Sequence, residues 1–190
     1  MRIITGKAKG INIKTLEGES TRPTSQRVKE AVFSMLQFDI EGRRVLDLFS
    51  GSGQMALEAL SRGALYAVLV DRSPEAIKII NNNAIKTKFI AQCEIRKEDY
   101  LSFLSKYRGE KFDIVFLDPP YASGFYEPAL KKLVDRDMIK STSLIVCESD
   151  NVEIFGHDTY ISERFDIIKQ TEYGRICITI LAPKKEISYD

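Results

Sequence analysis

Four consecutive residues, Asp118-Pro119-Pro120-Tyr121, have the properties needed to position an amino group for reaction. The two prolines fix φ and remove two backbone N–H donors, which gives a stiff loop with available carbonyl oxygens. An exocyclic amine on a nucleic-acid base is a poor nucleophile because its lone pair is delocalised into the ring. The Asp118 carboxylate and the Pro119 carbonyl could accept its two hydrogens and stabilise the developing positive charge, while Tyr121 stacks on the base. A rigid strand-to-helix turn is the structural alternative.

A second segment, with Asp47 followed by Ser50-Gly51-Ser52-Gly53, has the composition of a cofactor loop. Glycine lets the backbone approach a ligand closely, and the helix expected to begin near Gln54 directs unpaired N–H groups at the same place. The spacing also matches the fingerprint of dinucleotide-binding proteins. However, Asp47 would repel a pyrophosphate, whereas it suits the cationic amine of S-adenosylmethionine. The segment therefore favours S-adenosylmethionine, with an NAD-dependent oxidoreductase as an alternative that leaves residues 118–121 unexplained.

Further candidate cofactor contacts follow the next two apolar segments. Asp71, with Arg72 after it, could accept hydrogen bonds from both hydroxyls of a ribose. Asp99 could bind an adenine amino group, and Tyr100 offers a ring for the adenine to lie against. Helix capping and surface charge are the structural alternatives for the two aspartates.

The segments around these residues alternate between strand and helix patterns. Short apolar segments predict strands at 44–49, 66–70, 92–96, 112–117 and 143–147, with helices between them and a last helix at 125–138. Two more strands, at 165–171 and 176–181, are predicted to form a hairpin that adds an antiparallel edge strand. The alternation predicts an α/β fold with a mostly parallel sheet covered on both faces. Because ligands bind beyond the carboxyl ends of strands in such sheets, the candidate residues would lie at one edge.

Residues 1–40 are predicted to form a basic extension outside the main domain, which spans 41–190. Residues 1–30 contain seven basic and three acidic side chains, whereas the whole chain has a net charge of only +1. Isoleucines at 3, 11 and 13 predict a β-hairpin, and Thr24 or Ser25 is expected to cap the following helix. A local basic stripe can bind phosphates, but a solvated surface is an equally good interpretation.

Several classes of site and location are disfavoured. The three cysteines, Cys93, Cys147 and Cys177, are far apart in apolar segments, which predicts buried thiols rather than disulfides. His157 has no partner at metal-ligand spacing, so no metal is expected. Residues 1–10 lack the apolar core of a signal peptide, and no apolar segment approaches the length of a membrane span, which predicts a cytoplasmic protein without membrane association. Nothing in the sequence demands more than a monomer.

The order DLFSGSG, Asp71 and DPPY resembles that of the class I amino-methyltransferases. Two stretches, Thr21–Glu30 (TRPTSQRVKE) and Leu57–Ala64 (LEALSRGA), resemble the bacterial enzymes that methylate N2 of one guanine, 966, in 16S ribosomal RNA. The resemblance covers essentially the whole chain. It implies a Rossmann-like fold with a seven-stranded sheet, S-adenosylmethionine as cofactor, and ribosomal RNA in the small subunit or its assembly intermediate as substrate.

The resemblance also implies roles for individual residues. S-adenosylmethionine would be lined by Ser50, Gly51, Gly53, Asp71 and Asp99, and the guanine amine would be held by Asp118, Pro119 and Tyr121. Arg22, Thr24 and Arg27 would lie near the mouth of the cofactor site or contact the RNA. Arg2, Lys7 and Lys9 are candidate RNA contacts because they belong to the basic segment. A DNA amino-methyltransferase, a protein-glutamine methyltransferase and a non-catalytic RNA-binding protein are the alternatives. Since only about 40 residues lie outside the catalytic fold, a substrate that presents its own folded shape is favoured over duplex DNA.

Overall fold

The elements of the chain are those of an alternating α/β protein. The computed structural model describes residues 1–16, 23–120, 124–150 and 159–184, without the side chains of 23–25 and 160. The described strands are β1 (Arg44–Asp47), β2 (Tyr66–Asp71), β3 (Cys93–Lys97), β4 (Phe112–Leu117), β5 (Ile139–Ser149), β6 (Phe165–Tyr173) and β7 (Ile176–Pro183). The described helices are α1 (Pro23–Met35), α2 (Gln54–Ser61), α3 (Pro74–Lys86), α4 (Tyr100–Lys106), α5 (Tyr126–Asp135) and α6 (Thr159–Arg164).

All seven strands form one sheet in the order β3-β2-β1-β4-β5-β7-β6. Strands β1 to β5 pair in parallel, and β7 pairs antiparallel with both β5 and β6. The predicted Rossmann-like, mostly parallel seven-stranded sheet is therefore confirmed. The strand that runs antiparallel to β5 is β7, which lies next to the edge strand β6. Strands β2 and β3 lie on one side of β1, whereas β4 pairs with its other side, so the direction in which strands are added reverses between β1 and β4. That reversal opens a crevice between the carboxyl ends of β1 and β4.

Helices cover both faces of the sheet, as its strand sequences require. Every residue of β4 is buried, because its alternate side chains enter two different hydrophobic clusters. Phe116 packs with α1, α2 and α3, whereas Val115 packs with α4 and α5 on the opposite face. The first cluster also contains Ile3, Ala8 and Ile13, so residues 1–16 share the core of the sheet. A domain boundary near residue 40 stays a prediction.

The first residues form the expected hairpin, although only one bridge joins its two sides. The N–H of Ile3 donates to the Ile11 carbonyl at 3.0 Å, and the N–H of Ile13 donates to the Met1 carbonyl at 2.8 Å. At the turn, Gly6 has φ +84°, and a Cβ there would lie 1.7 Å from the Ser61 carbonyl oxygen. The turn therefore packs directly on the carboxyl end of α2.

A buried carboxylate, Glu58 of α2, joins the hairpin to α1 and α2. Its side chain is fully buried and pairs with Lys29 at 3.3 Å and Arg62 at 2.9 Å. It also accepts the N–H groups of Ile4 at 2.7 Å and Thr5 at 3.0 Å. Four donors thus compensate a charge that would otherwise be costly to bury. Lys29, Glu58 and Arg62 come from the two stretches that carry the family resemblance, so part of that resemblance reflects folding rather than catalysis.

Several predicted elements differ from the structure; strand β5, for example, begins at Ile139 rather than at 143. Helix α1 begins at Pro23, so neither Thr24 nor Ser25 precedes it as a cap; proline suits a first helical position because the N–H that it lacks has no helical partner there. Helix α5 ends at Asp135 rather than 138, because Asp137 has a positive φ of 52° and β5 already begins at Ile139. Helix α6 was not predicted. Across the described ranges, no helix has the length and apolar character of a membrane span.

Candidate active site

A cavity of about 1010 Å³ lies at the carboxyl ends of the parallel strands. Its walls come from the residues that follow each strand: Leu48, Phe49 and Gly51 after β1, Arg72 after β2, Glu98, Asp99 and Tyr100 after β3, and Asp118, Pro119 and Pro120 after β4. Glu148, at the end of β5, and Asp150 complete this side. The reversal of the sheet therefore produces the cavity where the fold class leads one to expect a ligand.

The cavity brings together most of the predicted cofactor and catalytic residues. Its lining includes Gly51, Asp71, Arg72, Asp99, Tyr100, Asp118, Pro119 and Pro120. Of the described residues, the predicted cofactor contacts Asp47, Ser50 and Gly53 and the predicted RNA contacts Arg2, Lys7, Lys9 and Arg27 are not part of the lining. Arg22, Tyr121 and the side chain of Thr24 lie outside the described part of the chain. The predicted roles of these residues stay predictions.

The glycine loop is held in place by Asp71. Its Oδ2 accepts the N–H of Gly51 at 2.9 Å, and its Oδ1 accepts the N–H of Ser73 at 2.8 Å. Ser50 fixes the base of the loop, since its hydroxyl donates to the Asp47 carbonyl at 2.7 Å. A carboxylate oxygen can accept more than one hydrogen bond, so these contacts leave Asp71 capacity for ribose hydroxyls.

Asp47 and Asp99, which are proposed to bind the amine and the adenine of the cofactor, differ in their surroundings. Asp47 is only 3% exposed, and its carbonyl accepts the Ser50 hydroxyl. A nearby residue that the sequence analysis did not propose, Gln54, does line the cavity, and its buried Oε1 has no hydrogen-bond partner among the described residues. Asp99 caps α4, with Oδ1 accepting the N–H groups of Leu101 at 3.0 Å and Ser102 at 3.3 Å. The capping alternative is thus confirmed for Asp99, whose Oδ2 is the atom with which it could also hold a ligand.

Three aromatic rings form one wall of the cavity. The ring of Tyr100 lies 5.0 Å from that of Phe49 and 5.7 Å from that of Phe125, and Phe49 and Phe125 are themselves 5.7 Å apart. These distances are those of packed aromatic pairs, and the rings are tilted by 43° to 79° to one another, so they form an apolar wall against which a ligand ring can pack. Sequence reasoning found Tyr100 and missed the two phenylalanines. The signal available for Phe49 was its place directly after the first buried strand.

Sequence reasoning also missed Glu148. Leu117 and Cys147 are paired in the β4–β5 register, so Asp118 and Glu148 are the next residues of two adjacent strands, and both line the cavity. Burial raises the pKa of Glu148 to about 7. Its backbone carbonyl accepts a hydrogen bond from the Tyr126 hydroxyl. The cavity therefore holds two neighbouring carboxylates, one of which titrates near neutrality.

The hairpin and the β6–β7 turn close the remaining sides. Met1, Thr15 and Leu16 line the cavity, as do Gly174, Arg175 and Ile176 of the turn. Lys7 and Lys9 lie at the other end of α2, because the N–H of Lys7 donates to the Ser61 carbonyl at 2.8 Å. The eight residues of α2 span about 12 Å, which separates these lysines from the glycine loop. The basic side chains Arg2, Lys7, Lys9 and Arg27 are all exposed.

Comparison with known proteins places this site in a family. The family model described as Conserved hypothetical protein 95 matches residues 1–182. The chain belongs to this family. Ribosomal RNA small subunit methyltransferase D of Escherichia coli (strain K12) is 33% identical over 150 residues, covering 79% of this chain and 75% of that protein. The protein of the same name from Haemophilus influenzae is 34% identical over 152 residues, covering 79% of each. The solved structure of yhhF from Escherichia coli has a TM-score of 0.84 at 27% identity, covering 98% of this chain and 99% of that chain.

Membership of this methyltransferase family makes S-adenosylmethionine the cofactor, and the cavity fits it. Six carboxylates and three cationic side chains line the walls, which suits a ligand with a sulfonium and an ammonium group. The unpaired Oε1 of Gln54 is an acceptor that such an ammonium would satisfy, and buried acceptors are rarely left unpaired. Gly51, with φ +52°, has the backbone geometry for close approach. No group of three or more metal-ligating side chains occurs in the described ranges.

Proposed function

We propose that the chain transfers a methyl group to the exocyclic N2 of a guanine in small-subunit ribosomal RNA. The observation that carries this proposal is the position of Asp118 and Pro119 at the end of β4, in the same cavity as the glycine loop. The family relatives support the choice of substrate, because the proteins from Escherichia coli and Haemophilus influenzae are named as small-subunit ribosomal RNA methyltransferases. The guanine amine and its position follow from the sequence resemblance.

In this proposal the chain mainly orients the amine. S-adenosylmethionine supplies the electrophilic methyl group when it is bound. The Asp118 carboxylate and the Pro119 carbonyl accept the two amine hydrogens, which turns the nitrogen lone pair out of the ring plane. Asp118 also faces the positive charge that grows on the nitrogen during attack, so its effect is larger in the transition state than in the bound substrate. The released proton passes to Asp118 or to water.

The charge distribution supports an RNA substrate that is held outside the cavity. Arg2, Lys7, Lys9 and Lys14 are exposed on the hairpin, whose buried face is formed by Ile3, Ala8 and Ile13. Cationic side chains on an exposed surface bind phosphates without regard to sequence. Arg72 and Arg175 are two further cationic side chains, which line the cavity itself. The base would have to be unstacked or already single-stranded to reach Asp118.

Transfer of labelled methyl groups tests the proposal directly. The protein is incubated with labelled S-adenosylmethionine and, in parallel, with unmethylated small ribosomal subunits, their extracted RNA, and duplex DNA. Nucleosides from each are then separated. We expect label in N2-methylguanosine from ribosomal RNA, and we expect D118A to lower the rate constant by about 10²–10³-fold. D166A, which removes an exposed carboxylate of β6, is the matched control. Label only in DNA, or in another nucleoside, would refute the substrate assignment and leave the cofactor site unaffected.

A further inference from the structure

Adjacent carboxylates at the ends of β4 and β5 are unexplained by the reaction described above, which needs only Asp118. Neighbouring strands in a sheet lie about 4.8 Å apart, and the register pairs Leu117 with Cys147 immediately before the two carboxylates. Both Asp118 and Glu148 line the cavity. A base whose amine is held by Asp118 would therefore present the neighbouring atom of its ring to Glu148.

That neighbouring atom distinguishes guanine from the other bases with an amino group. In guanine, the ring nitrogen N1 beside the N2 amine carries a hydrogen, so two parallel donors face outward. In adenine and cytosine, the ring nitrogen beside the amine carries a lone pair instead. Two adjacent carboxylates complement two adjacent donors, and an ionised carboxylate repels a lone pair.

We propose that Glu148 selects guanine by accepting the N1–H of the base whose N2 amine is held by Asp118. This inference rests on the proposed function and adds a specificity-determining residue to the same site. A site built to bond a donor discriminates strongly against an analogue without it, since the buried acceptor is then left unpaired.

The surroundings of Glu148 make this selection dependent on pH. Burial raises its pKa to about 7, so the ionised carboxylate is populated above that value and the neutral carboxylic acid below it. Tyr126, whose hydroxyl donates to the Glu148 carbonyl, also interacts with the titratable groups of Cys147, Asp118 and Asp150. The other charged side chains that line the same cavity among the described residues are Lys29, Asp71, Arg72, Glu98, Asp99 and Arg175. The ionised form accepts N1–H strongly because it carries a full charge, whereas the neutral acid accepts it more weakly through its carbonyl oxygen and can donate its own proton to a ring lone pair. Methylation of guanine should therefore rise as pH increases through about 7, whereas a base with a lone pair at this position would be favoured as pH falls.

The test uses a base that keeps the amine and loses the N1 hydrogen. 2-Aminopurine carries the same exocyclic amine beside a ring nitrogen with a lone pair. After the methylated guanine has been mapped, 2-aminopurine is placed at that position in ligated RNA, and transfer to both RNAs is measured from about pH 6 to pH 8.5. We expect the wild type to prefer guanine by at least about 100-fold, in line with discrimination by a buried hydrogen-bonding site.

The variant E148Q separates specificity from folding. The glutamine amide keeps the shape of the side chain, does not titrate, and can donate to a ring lone pair. We expect E148Q to bind S-adenosylmethionine normally, to lose the rise of rate through pH 7, and to reduce the preference for guanine to about tenfold or less. E163Q, at an exposed position in α6, is the matched control and should behave as the wild type.

The outcomes distinguish the two proposals. If the wild type labels no guanine in ribosomal RNA, the proposed function fails. If it labels guanine but accepts 2-aminopurine equally well, or if E148Q keeps both the preference and the pH profile, the role of Glu148 is overturned while the proposed function stands.

Discussion

The fully buried carboxylate of Glu58 provides the sharpest test of how the hairpin is attached. In E58Q the side chain keeps its size but loses its charge, and the new amide must direct an N–H₂ group at existing donors. Glu58 Oε1 accepts from Thr5 and pairs with Arg62, and Oε2 accepts from Ile4 and pairs with Lys29. In either orientation of the new amide, its N–H₂ group would therefore point at one backbone N–H and one cationic side chain. Burial already lowers the pKa of Lys29, and the loss of Glu58 removes the main influence that opposes this shift.

The expected magnitude follows from breaking a buried ion pair on one side. Such a change costs about 3–5 kcal/mol, because the remaining charge is left without compensation. For a chain of this length each kcal/mol lowers Tm by about 2–4 °C, so we expect a loss of about 6–20 °C. Chemical denaturation measures the free energy of unfolding, and hydrogen exchange should show faster exchange of the Ile4 and Thr5 amides.

Two comparisons decide whether this reasoning is sound. E127Q removes the carboxylate of an exposed pair with Lys131 and should change the free energy of unfolding by less than about 0.5 kcal/mol. The double variant K29M/E58Q should lose less stability than the sum of its single changes, since each removes the partner of the other. A loss below about 1 kcal/mol in E58Q would refute the view that this carboxylate secures the hairpin.

Three further changes probe the hairpin, the cofactor loop and the basic surface. G6A should lower the free energy of unfolding by about 2 kcal/mol or more, because its Cβ would overlap the Ser61 carbonyl, whereas G10A, with the same backbone conformation and open space, should cost only about 1 kcal/mol in chemical denaturation. D71A should weaken S-adenosylmethionine binding by about ten- to a hundredfold in calorimetric titration, while D166A leaves it unchanged; equal affinities would contradict the role of Asp71 in the glycine loop. The double variant K7E/K9E should reduce both RNA affinity and its dependence on salt without changing cofactor affinity, and an unchanged salt dependence would mean that RNA does not reach the far end of α2.

The fold was predictable because its determinants are local or periodic. Short apolar strands that alternate with capped helices predict a parallel sheet, and the sheet then dictates where ligands bind. This reasoning placed Asp71, Asp99, Tyr100 and Asp118 at one edge, and the structure brings all four to one cavity. The burial of a residue at the end of a strand does not follow from periodicity, so the sequence did not reveal that Asp47 is only 3% exposed and outside the cavity lining.

The missed residues depend on tertiary contacts between distant segments. Phe125 reaches the wall from the beginning of α5, and its partners Phe49 and Tyr100 lie far away in sequence. In the sequence, Glu148 is a single carboxylate at the end of an apolar segment. Its candidate role follows only from the β4–β5 register, which places it beside Asp118. The sequence also does not predict the buried ion pair of Lys29 with Glu58, because an isolated Lys or Glu in an amphipathic helix is usually solvated.

The separation of charge in the structure constrains how a nucleic acid could meet the cavity. The walls carry six carboxylates against three cationic side chains, so their net charge is negative, and a phosphate at contact distance from a carboxylate would be repelled by about 1 kcal/mol or more. The exposed hairpin carries the opposite charge on Arg2, Lys7, Lys9 and Lys14. A polyanion is thus attracted to the exterior and excluded from the interior, while an uncharged base can cross between them. An RNA substrate would therefore bind with its backbone along the outside and only one unstacked base inside, which brings the amine to Asp118 without bringing a phosphate to the acidic walls.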